Sequence, residues 1–107
     1  MIRKTLLVSV AMLIGAADLA QARPAKCFAT DEGHYACDFT PMGSDGSFRI
    51  SARGKPTYTL TMIGGGVATG FVNLTGRNVA LPGQFRRTPR DRACWANNAT
   101  GVRICAW

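Results

Sequence analysis

Residues 47–62, SFRISARGKPTYTLTM, decide the fold class because apolar and polar side chains alternate along them with a period of two. The alternation runs on both sides of the turn signal Arg-Gly-Lys-Pro, which interrupts the stretch in its middle. A period of two is typical of strands with one face in the core and the other in water. The predicted inward positions are Phe48, Ile50, Ala52, Tyr58, Leu60 and Met62.

Similar short runs recur along the rest of the chain, separated by Gly, Asn, Asp and Pro, and no helical pattern of useful length interrupts them. Regular turn signals between short strands predict a small antiparallel β-barrel or sandwich of about seven or eight strands, formed by residues 23–107 as a single domain. The predicted strands are Lys26–Thr30, His34–Thr40, Ser47–Ala52, Thr57–Ile63, Val67–Leu74, Asn78–Phe85, Ala93–Asn97 and Val102–Trp107.

The N-terminal segment has the pattern of a secretory signal peptide. Arg3 and Lys4 precede the apolar run Leu6–Ala17, and the sequence Ala-Gln-Ala ends the segment at Ala22. The apolar run is shorter than the roughly 20 residues that a membrane-spanning helix needs. We therefore expect residues 1–22 to be cleaved, with no transmembrane segment. We expect the mature chain to be exported to a bacterial periplasm or secreted.

All four cysteines lie in the predicted mature chain, and an even number in a small exported protein favours disulfides over a metal site. A three-residue loop, Asp31–Gly33, would bring Cys27 opposite Cys37 across one hairpin. A four-residue loop, Asn98–Gly101, would bring Cys94 opposite Cys105 across another. The predicted disulfides are therefore Cys27–Cys37 and Cys94–Cys105. The pairing of Cys27 with Cys94 and of Cys37 with Cys105 stays open as the alternative.

The register of the second hairpin also assigns a face to each tryptophan. Trp95 and Ile104 fall on one face as a predicted core pair, whereas Trp107 shares the other face with Cys94 and Cys105. We interpret Trp107 as a plug that closes one end of the sheet. The alternative is an exposed platform on which a sugar ring could stack.

Positive charge dominates the predicted mature chain. Without Arg3, Lys4 and Asp18, the 13 basic and six acidic residues fall to 11 and five, a net side-chain charge of +6. Residues 86–92, RRTPRDR, contain four arginines and one aspartate, and their proline favours an exposed loop. Arginine suits bidentate binding of carboxylate or phosphate. The residues predicted to bind an anionic partner are Arg77, Arg86, Arg87, Arg90 and Arg92.

An exported protein meets lipopolysaccharide, anionic lipid, acidic polysaccharide and acidic proteins, so these are the predicted partners, and export disfavours nucleic acid. The pair that comes nearest to an acid–base couple is His34 with Asp31 or Glu32 beside a turn, and no nucleophile supports it. We therefore predict a non-enzymatic binding module that uses no metal or cofactor. The alternative function is a protein-directed enzyme inhibitor that presents the disulfide hairpin with the tip Asn98–Gly101.

Overall fold

A computed structural model describes residues 21–107, so all but the last two residues of the predicted signal peptide lie outside the described part. The described chain is all-β, which confirms the predicted fold class. Its strands are β1 Arg23–Ala29, β2 Gly33–Pro41, β3 Phe48–Ser51, β4 Thr57–Gly64, β5 Val67–Asn73, β6 Asn78–Ala80, β7 Phe85–Arg87, β8 Cys94–Asn97 and β9 Arg103–Ala106.

The strands form a closed antiparallel barrel. Around the barrel the order is β4-β3-β2-β1-β9-β8-β7-β5, and the pairing of β4 with β5 closes the circle of eight strands. Strand β6 lies outside this circle and pairs with the end of β5, whereas β7 pairs with the start of β5. Closure removes the two exposed edges that an open sheet of these strands would have.

The barrel interior contains the side chains that the alternation predicted to face inward. Phe48, Ile50, Tyr58 and Leu60 are buried, and the intervening Arg49 is exposed. Trp95 lies directly opposite Ile104, and both are buried, which confirms them as a core pair. Side chains from other strands, including Cys27, Ala29, Ala68 and Phe85, complete the interior.

Both predicted disulfides are present, but only one hairpin has the predicted register. Cys94 lies opposite Cys105, as predicted. In the first hairpin Cys27 instead lies opposite Tyr35, and Cys37 lies opposite Ala25, so the prediction was wrong by two residues. Cys27 and Cys37 still share the inner face of the hairpin, and their Cα atoms are 5.9 Å apart, so the disulfide joins diagonal rather than opposite positions.

The predicted strand Asn78–Phe85 is also wrong, because the structure divides it into β6 and β7. Pro82 and Gly83, the latter at φ +73°, form a bend between the two short strands. The amide of Leu81 donates to the carbonyl of Gly70 at 2.8 Å just after β6. A Cβ atom at Gly70 would lie 2.5 Å from the ring of Phe85, so glycine lets that ring enter the core.

The antiparallel order places the loops alternately at two ends of the barrel. We call the end that carries the β7–β8 loop, residues 88–93, the arginine end. The start of β1, the loop 42–47 and the turn 65–66 lie at this same end. At the opposite end lie the segments 30–32, 52–56, 74–77 and 98–102.

Candidate functional site

The stretch Arg86–Arg92, which we call the arginine loop, comprises the end of β7 and most of the following connection. Its four arginine side chains are exposed. Within residues 21–107 the single ion pair joins Lys55 Nζ to Glu32 Oε1 at 3.8 Å, and it lies at the opposite end. The cationic groups of the arginine loop therefore face solvent without a carboxylate partner among the described residues.

One arginine of the loop is held in place by contacts at the opening of the barrel at the arginine end. The guanidinium carbon of Arg87 lies 4.6 Å from the ring centroid of Trp95, and its Nη1 donates to the carbonyl oxygen of Arg92 at 2.8 Å. Across the same mouth, the guanidinium carbon of Arg23 lies 4.7 Å from the ring centroid of Phe39. Cation–π contacts of this kind orient charged groups on an aromatic rim.

Arg77, the fifth residue predicted for the anionic site, lies elsewhere. It belongs to the β5–β6 loop at the opposite end, whereas the backbone of Arg87 contacts Gly66 just before β5 begins. The seven residues of β5 span roughly 20 Å at the usual rise per residue. The structure therefore brings Arg86, Arg87, Arg90 and Arg92 together and leaves Arg77 apart from them.

A cleft of about 490 Å³ adjoins the arginine loop on the outer face of the barrel, and we call it the Trp107 cleft. Aromatic side chains from β1, β2 and the residue after β9 line it, together with the β7–β8 loop and the Cys94–Cys105 disulfide. Its lining residues are Phe28, His34, Thr88, Pro89, Arg90, Asp91, Cys94, Arg103, Cys105 and Trp107.

Two contacts hold the Trp107 side chain within this cleft. Its indole Nε1 donates to Asp91 Oδ2 at 3.0 Å. Its rings stack on His34, with centroids 5.9 Å apart and planes at 25°. The side chain keeps 49% of its surface exposed on the outer face, so the interpretation of Trp107 as an end plug was wrong.

Asp91 organises the loop that borders the cleft. Its Oδ1 accepts from the amide of Ala93, and its carbonyl accepts from the hydroxyl of Thr88 and the amide of Cys94. The Ala93 amide, the Trp107 indole and the charge of Arg103 together hold the pKa of the Asp91 carboxyl below its ordinary value. Asp91 is therefore ionised at neutral pH and anchors Trp107.

Two guanidinium groups border the aromatic surface of the Trp107 cleft. Arg90 lines it from the arginine loop. Arg103 lies over Phe28, with its guanidinium carbon 5.2 Å from the ring centroid, and Phe28 in turn contacts His34 with centroids 4.8 Å apart. Sequence reasoning treated His34, Trp107 and the arginine loop separately. The correct β1–β2 register pairs Phe28 with His34, and it would have predicted that these two rings lie side by side.

The structure does not bring His34 together with the acids considered for an acid–base pair. Glu32 faces Tyr58 and Lys55, and among the described residues no carboxylate lies within ion-pair distance of His34. In the same part of the chain no three side chains of His, Cys, Asp or Glu are grouped as metal ligands. No helix within residues 21–107 is long and apolar enough to cross a membrane.

Fold and site together define a small, doubly disulfide-linked β-barrel with a cationic and aromatic cleft on its outer face. Comparison with protein-family models found no match, and comparisons with curated proteins and with solved structures found none either.

Proposed function

We propose that this chain is an exported, non-enzymatic protein that binds an anionic partner through the arginine end of its barrel. One observation carries the proposal: five exposed arginines lie at this end without an ion-pair partner among residues 21–107. They are Arg23, Arg86, Arg87, Arg90 and Arg92. The positive charge of these five arginines exceeds that of the carboxylates at the same end, Asp45 and Asp91, and such an excess attracts anions and steers their approach.

Two features support export and binding over catalysis. The two disulfides suit an oxidising compartment such as a bacterial periplasm or the extracellular space. The arginine loop is also ordered by Asp91 and by the stacking of Arg87 on Trp95. An ordered loop loses less conformational entropy when it binds, which favours recognition of a partner. Lipopolysaccharide, anionic lipid, acidic polysaccharide and acidic proteins are the candidate partners.

The test compares two double variants with the same change in net charge. In the first, Arg90 and Arg92 are replaced by Glu at the arginine end; in the second, Arg53 and Arg77 are replaced by Glu at the opposite end. Binding is measured at low salt to lipopolysaccharide, to phosphatidylglycerol vesicles and to polygalacturonate. We expect the first variant to bind at least about tenfold more weakly than the second to one or more of these probes. Equal losses, or no binding of the unmodified chain to any probe, would overturn the proposal.

A second candidate is a protein-directed enzyme inhibitor that presents the β8–β9 hairpin. The observation in its favour is the rigidity of the exposed tip: Asn97 Oδ1 accepts from the amides of Ala99 and Thr100, and Asn98 Oδ1 accepts from that of Gln84. Binding of a target enzyme through this tip would survive high salt and would be lost in Ala99→Glu. Loss of binding at high salt with Ala99→Glu unaffected would exclude this candidate.

A further inference from the structure

We infer that the Trp107 cleft binds a sugar ring of an acidic glycan, with the ring stacked against the indole and its carboxylate bound by the flanking guanidiniums. The inference rests on the proposed function and deepens it, because it chooses one class of anion and places it beside the arginine loop. The assignment is supported by the two clefts that Trp107 lines, one on each side of it.

Trp107 separates two neighbouring clefts on the outer face. One is the Trp107 cleft, and the other, of about 570 Å³, is lined by Pro24, Ala25, Lys26, Ala36 and Trp107 itself. The backbone of Trp107 pairs with that of Lys26, which holds the residue beside strand β1, and Trp107 lines both clefts. The volume of the Trp107 cleft lies within the range of about 300–1,000 Å³ typical of small-ligand sites, and the second cleft is shallower and more open to solvent. Two clefts that meet at one tryptophan suit an elongated ligand of several sugar units.

The chemistry of the aromatic surface suits a sugar ring. An indole face carries partial negative charge, and the C–H groups on one face of a pyranose carry partial positive charge, so the two faces attract. The hydrogen bond from the indole edge to Asp91 and the stacked ring of His34 hold the Trp107 side chain, so the platform is already oriented before a ligand arrives. A rigid aromatic platform loses little conformational entropy on binding.

The charged side chains around the platform favour an acidic sugar over a neutral one. Arg90, Arg103 and the ionised Asp91 border one side of Trp107, and Lys26 borders the other, so three positive charges face one negative charge around the platform. A guanidinium binds a carboxylate through two parallel hydrogen bonds. The carboxylate of Asp91 can also accept a bond from a sugar hydroxyl. A uronic acid offers a ring for the indole face, a carboxylate for the guanidinium groups and hydroxyls for the Asp91 carboxylate.

The test measures binding of the full mature chain to a short oligogalacturonate by calorimetry. The neutral galactose oligomer of the same length and polyglutamate of similar charge serve as matched probes. We expect the oligogalacturonate to bind at least about tenfold more tightly than either. We also expect Trp107→Ala to remove most of that preference, whereas Leu74→Ala, at another exposed apolar residue, leaves it intact. Thermal melts check the fold of Trp107→Ala, and Trp107→Phe, which keeps a ring but cannot donate to Asp91, should give an intermediate loss.

The variants separate failure of this inference from failure of the proposed function. If the Arg90 and Arg92 charge reversal abolishes binding of an anionic probe but Trp107→Ala leaves oligogalacturonate binding unchanged, the glycan assignment is overturned and the proposed function stands. The glycan assignment alone is likewise overturned if polyglutamate binds as tightly as oligogalacturonate. If neither variant changes binding of any anionic probe, both proposals are overturned.

Discussion

Replacement of Asn97 by Ala tests how the bend between β6 and β7 is attached to the β8–β9 hairpin. Asn97 is one of the buried polar residues of the barrel, with 5% of its surface exposed. Its Nδ2 donates to the carbonyl of Pro82 at 2.7 Å, and its Oδ1 accepts from Ala99 and Thr100 at 2.8 and 3.0 Å. The side chain thus joins the bend after β6 to the tip of the β8–β9 hairpin.

Each of these hydrogen bonds contributes about 0.5–1.5 kcal/mol net to the free energy of unfolding. Because water can reach the two amides at the exposed tip after truncation, we expect a total loss of about 2–3 kcal/mol for Asn97→Ala. For a domain of this size, that loss lowers the melting temperature by roughly 10–20 °C.

Urea denaturation with the disulfides intact measures the loss, and the neighbouring Asn98→Ala is the matched control. The Asn98 side chain accepts one exposed hydrogen bond, from the amide of Gln84, so its truncation should cost about 1 kcal/mol or less. Equal effects of the two variants, or a loss below about 1 kcal/mol for Asn97→Ala, would refute the role assigned to Asn97.

Three further perturbations test other parts of the barrel. Replacement of Cys94 and Cys105 by Ala should lower the free energy of unfolding by about 3 kcal/mol in the chain-entropy account, measured by urea denaturation. Gly70→Ala should cost about 1–3 kcal/mol in the same assay, because its Cβ would collide with the ring of Phe85. Burial and the nearby Glu32 and Asp31 carboxylates raise the pKa of Tyr58 to about 12 from its ordinary 10.0. Neutral Tyr58 therefore contributes stability that is present below pH 10 and lost as pH rises through 12, and Tyr58→Phe should lose less stability over that interval.

Alternation along the chain was sufficient to predict most strands and the inward side chains, because a period of two assigns each residue to a face. It was not sufficient to set the register of the first hairpin. A shift of two residues keeps every side chain on its own face, so the pattern fits either register equally well. The turn consists of Thr30–Glu32, and Gly33 at φ +79° already pairs with Ala29, which moves Cys27 away from Cys37 by two positions.

The break within the predicted strand Asn78–Phe85 had a sequence signal, since Pro82-Gly83 disfavours a continuous central strand. No sequence signal of comparable strength indicated the Trp107 cleft. Asp91 lies 16 residues before Trp107, and His34 lies two strands away across β1, so only the closed barrel brings these side chains together. The arginine loop was evident from composition, but the separation of Arg77 from it depends on strand order.

The most direct test of the central claim is a titration of the isotopically labelled mature chain with polygalacturonate and lipopolysaccharide, followed by amide chemical shifts in nuclear magnetic resonance. We predict that the shift changes cluster at residues 86–93, next to Trp107, and that they weaken sharply at high salt. Shift changes confined to Asn98–Gly101 that persist at high salt, or no changes with either ligand, would contradict binding of an anionic partner at the arginine end.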